Sequence, residues 1–271
     1  MTSSGSHRHR WLLLACAAPA AVFFAAFWLL PVALLVGLPA RQGWEGYFAV
    51  LTHPRYLASL LNTVVLSITV TLATLLLGGA VGMYLARRRF PGRQVLLALL
   101  SLPLSFPGVI VGFFVILLGG RQGVVASLAD AAGWGRITFA YGLLGLFLAY
   151  LYFSLPRAIA TYTAAAEAMD LALEEAARSL GASRLRVVRD VWIPELAPTT
   201  LACGAILFAT AMGAFGTAFT LASKFEVLPI TIYDEFTNYA NFALAASLSI
   251  ALGLVTWLVL FVARRLGAAP L

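Results

Sequence analysis

Charges and Gly/Pro clusters divide this sequence into long apolar runs, and those runs decide what the chain can fold into. They fall at residues 11–38, 60–86, 95–119, 137–155, 198–222 and 242–262. A helix needs about 20 apolar residues to cross a hydrocarbon layer of about 30 Å. A membrane barrel would instead need segments of about ten residues alternating between apolar and polar. These runs are continuously apolar, so helices are the spanning structure that can satisfy their backbone polar groups. Composition agrees: 62% of the residues are hydrophobic and 11% are charged, where a soluble domain carries about a quarter charged residues. The mean hydropathy is +0.93. The expected fold is an all-α integral membrane protein with six transmembrane helices, and its solvent is a lipid bilayer.

A net charge of +7 raises the question of a nucleic-acid partner, but the distribution of the charge answers it differently. With the N-terminus inside and the loops on alternate sides, thirteen arginines share one side: Arg8, Arg10, Arg87, Arg88, Arg89, Arg93, Arg157, Arg178, Arg184, Arg186, Arg189, Arg264 and Arg265. Arg41, Arg55, Arg121, Arg136 and Lys224 take the other. This positive-inside bias implies cytoplasmic termini and no nucleic acid. Arg87 to Arg89 would meet an anionic inner leaflet. The first run follows a basic flank, as a signal peptide does, yet continues too long for a cleaved segment. A retained helix at 11–38, after a cytoplasmic leader at 1–10, is expected, with a tail at 266–271. Cys16 and Cys203 lie within apolar runs and read as small packing residues. His7, His9 and His53 lack metal-ligand spacing, so no metal site is expected.

The connection at 156–197 is long and carries most of the charge on its side. Ala166, Met169, Leu173, Ala176, Ala177 and Leu180 recur at spacings of three and four, which predicts an amphipathic helix, and Gly181 supplies a stop. A second short helical stretch places Leu185, Val188 and Trp192 on one face, with Pro194 and Pro198 ending it. Such an element either lies on the membrane surface or inserts into a partner.

Within it stand Glu175-Ala176-Ala177, three residues, Gly181, nine residues, then Val191-Trp192-Ile193-Pro194. This resembles the EAA loop of binding-protein-dependent ABC importer permeases, whose pattern is E-A-A, three residues, G, nine residues, I-x-L-P. Val191 and Ile193 depart from that pattern conservatively. The resemblance implies a type I ABC importer permease (MetI-like) core at 56–265, with a coupling loop at 164–195. It implies that Glu175, Ala176, Ala177, Gly181, Ala182, Ser183, Arg184, Val191, Ile193 and Pro194 form a knob docked on an ATPase. The physics fits: glycine permits a sharp reversal, two alanines keep the helix slim, and Glu175 can pair with a partner's arginine.

The chain has a single lysine, Lys224, and no G-x-x-x-x-G-K-[ST] segment around it, so no phosphate-cradling loop is present. The resemblance therefore implies that ATP and Mg are used by partner ATPase subunits, working as a dimer, while this chain binds no cofactor and has no catalytic residues. It also implies a second permease, the same or a homologous chain, and a periplasmic or extracellular solute-binding protein at a bacterial inner membrane. Asn62-Thr63, the Arg-rich turn before Pro91-Gly92, and 103–108 are similar to permeases for polyamines, ferric iron, thiamine and aminoethylphosphonate. A small charged solute is expected.

For the path of that solute, Asn62, Ser67, Thr69, Thr71 and Thr74 form a hydroxyl-rich series on the second run; packing between helices is the competing reading. Gly213, Phe215, Gly216 and Phe219 combine a pliable backbone with large rings, as a gate or as core. Gly78/Gly82 and Gly108/Gly112 have the spacing that lets helices approach closely. Pro103 and Pro107 are expected to bend the third span. Glu226, Asp234 and Glu235 lie on an outer loop, there to meet a cation or a binding protein, or merely solvated. An ion-coupled secondary transporter would need ionisable groups in the membrane, and none falls within the six runs. An integral-membrane enzyme would need a cluster of His, Asp, Glu, Ser or Cys at one interface, and the acids that do cluster sit on the loop helix.

Overall fold

A computed structural model describes residues 17–222 and 225–267. The leader, with His7 and His9, Cys16, Lys224 and residues 268–271 lie outside the described residues. The described secondary structure is entirely helical. The main elements are α1 (Ala17–Gly37), α2 (Pro54–Arg87), α3 (Arg93–Ser105), α4 (Gly108–Gly119), α5 (Val124–Ala131) and α6 (Leu143–Ala168). They continue with α7 (Leu171–Ser179), α8 (Arg184–Met212), α9 (Phe215–Leu221), α10 (Leu228–Tyr233) and α11 (Phe242–Gly267). Six segments are long and apolar enough to span a membrane: α1, α2, Gly108–Ala131, α6, α8 and α11.

The centre of the bundle is α2 packed along α6, and glycine makes the approach possible. A Cβ at Gly78 would lie 2.5 Å from Ala158 Cβ, and one at Gly82 would lie 2.7 Å from Tyr162 Cβ. Gly108 and Gly112 do the same for α4 against Thr217 and Thr220 of α9, where Thr217 Oγ1 donates to Gly108 O at 3.0 Å. Leu66, Val70, Val111, Leu146, Tyr150, Ala218 and Leu221 close the core between these helices. The first span stands apart: α1 has no buried residue in its window and packs chiefly along α11.

Several boundaries differ from the sequence reading. Residues 95–119 do not form one bent span. Phe106 is extended (φ −95°, ψ 131°) and so is Pro107 (φ −57°, ψ 146°), because the residue before a proline is pushed out of the helical region. The chain breaks there, and α3 is too short to cross. The fourth span does not stop at 155: α6 runs on to Ala168 with Pro156 buried inside it. Arg157 therefore lies within a membrane-length helix, which corrects both its assignment to a loop and the absence of ionisable groups from the spans.

The helix of the fifth span begins at Arg184 and not at 198, because neither Pro194 nor Pro198 ends it. A wider turn at Val188–Trp192, where the Ile193 N–H reaches Val188 O, absorbs the donor that Pro194 lacks. The helix ends instead at Gly213, where Ala214 leaves the helical region (φ −74°, ψ 80°). Tyr150 Oη donates to the freed Ala214 carbonyl at 2.7 Å.

Candidate functional site

The expected stripe from Ala166 to Leu180 does not share one face, because Met169 turns extended (φ −66°, ψ 140°) and ends α6. Ala166 and Met169 are buried, whereas Leu173 and Leu180 are 49% and 87% exposed. Beyond Met169 the chain makes a compact reversal. Asp170 Oδ1 accepts from the Ala172 N–H at 2.9 Å and caps α7, satisfying one of the donors that every helix start leaves open. At the other end Gly181 has φ +80°. Its N–H donates to Arg178 O at 3.0 Å, and the Ala182 N–H donates to Ala177 O at 3.0 Å. This paired closure needs a left-handed residue, which explains the glycine. Ser183 Oγ then caps α8 by accepting from the Arg186 N–H at 3.4 Å.

The motif residues thus divide into tip and stem. Glu175, Ala176, Gly181, Ser183 and Arg184 are exposed at the tip, with Ala177 and Ala182 half-buried between the two limbs. Val191, Ile193 and Pro194 belong to the stem, since α8 continues unbroken from the tip into the membrane-length segment. Leu171, Leu180 and Leu185 are more than half exposed at the tip. Glu175 makes no ion pair with any described residue.

The carboxylate that the protomer does hold is its neighbour, which the sequence reading passed over. The Glu174 side chain is 13% exposed, with Arg178 Nη2 at 2.5 Å and Arg87 Nη2 at 3.3 Å. Trp192 Nε1 donates to Glu174 Oε2 at 3.3 Å, and the Arg87 guanidinium lies 5.5 Å above the Trp192 ring. One carboxylate therefore joins the last turn of α2, the middle of α7 and the stem of α8. The four-residue spacing of Glu174 and Arg178 was the legible signal; the reach of Arg87 across the fold was not. Beside it, Arg93 pairs with Glu167.

The opposite end of α2 carries a second polar set. Arg55 Nε pairs with Glu226 at 3.1 Å, and Asn62 Nδ2 donates to Glu226 O at 3.1 Å. The Leu228 N–H donates to Thr63 Oγ1 at 2.7 Å, and Ser59 and Thr231 share a hydrogen bond at 2.7 Å. Tyr56 Oη donates to Glu235 Oε1 at 2.9 Å, and Glu235 is buried. Glu235 is therefore an internal tie, whereas Glu226 and Arg55 form a half-exposed surface pair. Asp234 accepts from Asn238 Nδ2 at 2.9 Å.

Among the candidate path residues, Ser67 and Thr71 are enclosed by the protomer's own helices, with hydroxyls that meet no partner. Both hydroxyls are buried among packed helices in this structure. Gly216 is a close-approach site, where a Cβ would lie 3.2 Å from Val109. Phe215 and Phe219 are 37% and 54% exposed and form a three-ring cluster with Tyr233, with centroids 5.3 to 5.5 Å apart. Among the described residues no group of His, Cys, Asp and Glu could hold a metal ion.

Comparison with known proteins agrees with this architecture. The sulfate transport system permease protein CysT of Salmonella typhimurium is 29% identical over 85% of this chain and 84% of its own length. The molybdenum transport system permease protein ModB of Escherichia coli is 34% identical over 78% of this chain and 93% of its own. A chain of a bacterial alginate ABC transporter, solved with an alginate pentasaccharide-bound periplasmic protein, superposes with a TM-score of 0.81 at 20% identity, covering 98% of this chain and 99% of that one. A chain of the inward-facing MetNI methionine ABC transporter superposes with a TM-score of 0.57 at 19% identity, covering 76% of this chain and 91% of that one. At these identities the two structures speak to the fold. Residues 78–269 match the family described as binding-protein-dependent transport system inner membrane component. The chain belongs to that family and is a permease subunit of an ABC importer, a membrane transport component.

Proposed function

We propose that this permease carries a small tetrahedral oxyanion of the sulfate and molybdate class, delivered by an external binding protein and driven by a pair of ATPase subunits docked on the α7–α8 knob. The oxyanion reading rests on the relatives: CysT is named for sulfate and ModB for molybdenum. Among the solutes that the motif resemblance implied, only aminoethylphosphonate carries an oxyanion group.

The observation that carries the coupling reading is the knob itself. Leu171, Leu180 and Leu185 are uncovered where the chain is most charged, and exposed leucines rimmed by charge fit a protein partner. Glu175 is exposed at the tip without an ion pair to any described residue, placed to meet a partner's arginine. The termini and the knob are assigned to the cytoplasm by the arginine excess; moving Arg157 into α6 leaves twelve arginines on that side, and the bias stands. ATP and Mg belong to the partner, which supports transport only if it grips the knob differently in two states. A second permease, identical or homologous, would meet the Phe215–Phe219–Tyr233 face and form a gate with it.

The test is uptake by the complete transporter in liposomes, with sulfate, molybdate, spermidine and thiamine as solutes. Oxyanion uptake that requires ATP and the binding protein is expected. Uptake of the cations alone would overturn the substrate reading, and oxyanion uptake by the isolated permease would overturn the coupling reading.

A further inference from the structure

The α6 helix contains a cation that its position does not explain. Arg157 lies eleven residues before Ala168, about 16 Å from that end at 1.5 Å per residue. Its neighbour Ala158 touches Gly78 of α2, nine residues inside the Arg87 end, which is about 13 Å. Helical side chains lean toward the N-terminus of their own helix, and for α6 that direction leads deeper. The guanidinium does reach that way: Arg157 Nη1 donates to Thr210 Oγ1 at 3.2 Å. Arg157 also lies fourteen residues after Leu143, about 21 Å, so a layer of about 30 Å set anywhere along α6 encloses it.

It is also uncompensated. Arg157 is exposed on the protomer, and no carboxylate pairs with it among the described residues. Thr210 is a neutral partner whose own proton goes to Ile206 O at 2.8 Å. A lone arginine facing lipid tails would cost about 2.5 to 3.5 kcal/mol or more. Lipid is therefore the wrong neighbour for this face, and the charge calls for water and an anion. The strip continues upward through the helix break at Gly213 to Phe215, five residues beyond Thr210, and its ring cluster.

We propose that Arg157, with the Thr210 hydroxyl beside it, is a transient oxyanion-binding site part-way along the solute path. The proposal rests on the oxyanion reading above and names the group that would make a membrane interior passable for such a solute. A guanidinium offers a planar fork matched to two oxygens of a tetrahedral anion. A single cation flanked by a neutral hydroxyl binds weakly enough to release, as conduction requires. The competing anion is a carboxylate on the second permease, which would make Arg157 an assembly contact instead.

The experiment uses the complete transporter in liposomes and measures sulfate and molybdate uptake, ATP hydrolysis and the yield of assembled complex. R157Q is expected to lower oxyanion uptake by about 100-fold while assembly and basal ATP hydrolysis stay within about twofold of wild type. R157K is expected to keep at least about a tenth of the uptake, and T210V to lower it by about three- to tenfold. R157Q that transports at more than half the wild-type rate overturns the site and leaves the oxyanion reading standing. R157Q that fails to assemble, or that assembles poorly but transports normally per complex, assigns the residue to the second permease and also overturns the site. A wild-type transporter that moves neither oxyanion fails the functional reading itself.

Discussion

The two ends of α2 are tied down in opposite ways. At the Pro54 end, a collar formed by α10 and its flanking segments bonds to α2: Thr231 and Glu235 are buried against Ser59 and Tyr56, and half-exposed Glu226 pairs with Arg55. At the Arg87 end, one inward carboxylate, Glu174, holds the knob, while leucines point out. Buried polar groups with partners rigidify, and uncovered apolar side chains mark an unfilled contact. The collar's buried polar groups are satisfied within the protomer; on the proposed reading, the knob is completed by another chain.

The largest expected effect comes from that contrast. L180D with L185D places two charges at positions 87% and 78% exposed, so the permease itself should fold normally. Burying those charges against a partner would be prohibitive, and co-purification of the ATPase should fall by about 100-fold, with uptake lost. Undiminished association of the double variant would show that the knob does not wait for a partner, and the contrast would fail.

At the collar the reverse is expected. E235A removes the acceptor for Tyr56 Oη at a buried site, which should cost about 1 to 3 kcal/mol and lower the thermal midpoint by several degrees. ATPase association should be unchanged, because the Glu235–Tyr56 bond and the knob lie at opposite ends of α2. A thermal shift measured beside a pull-down separates the two ends in one preparation.

The clamp at Glu174 is the hinge between these regimes. E174Q and R87M should each leave the knob able to bind the ATPase yet reduce solute moved per ATP by about fivefold. A double-mutant cycle should give a coupling energy of about 1 kcal/mol or more. Additive effects would mean that the 3.3 Å contact carries no force between knob and α2.

What the sequence revealed and what it hid have physical reasons. The knob was legible because its turn depends on local chemistry: Gly181 must be left-handed, and its spacing from Glu175 and Pro194 lies within one connection. The prolines were misread because their effect depends on what surrounds them. Pro107 breaks the chain, whereas Pro103, Pro156, Pro194 and Pro198 sit inside helices. The break at Ala214 is satisfied by a hydroxyl from Tyr150, 64 residues away, which no local pattern contains. Arg157 was hidden for a sharper reason. A reading that ends every apolar run at a charge cannot find a charge inside a helix, so the rule that located the spans removed Arg157 from view.

The smallest effect tests the middle of α2, between its two tied ends. Ser67, Thr71 and Thr74 have buried hydroxyls with no partner, and Ser67 and Thr74 are fully enclosed. An unpartnered buried hydroxyl has lost its water without gaining a bond, and replacing it by an apolar group of similar shape is neutral or stabilising. S67A with T74V should therefore raise stability by up to about 1 kcal/mol, with uptake within about twofold of wild type. The two ends of α2 would then be its working parts, joined by a passive rod. A large loss of uptake at unchanged stability would mean that these hydroxyls meet solute or water in another conformation, and that the rod itself turns or opens as the transporter cycles.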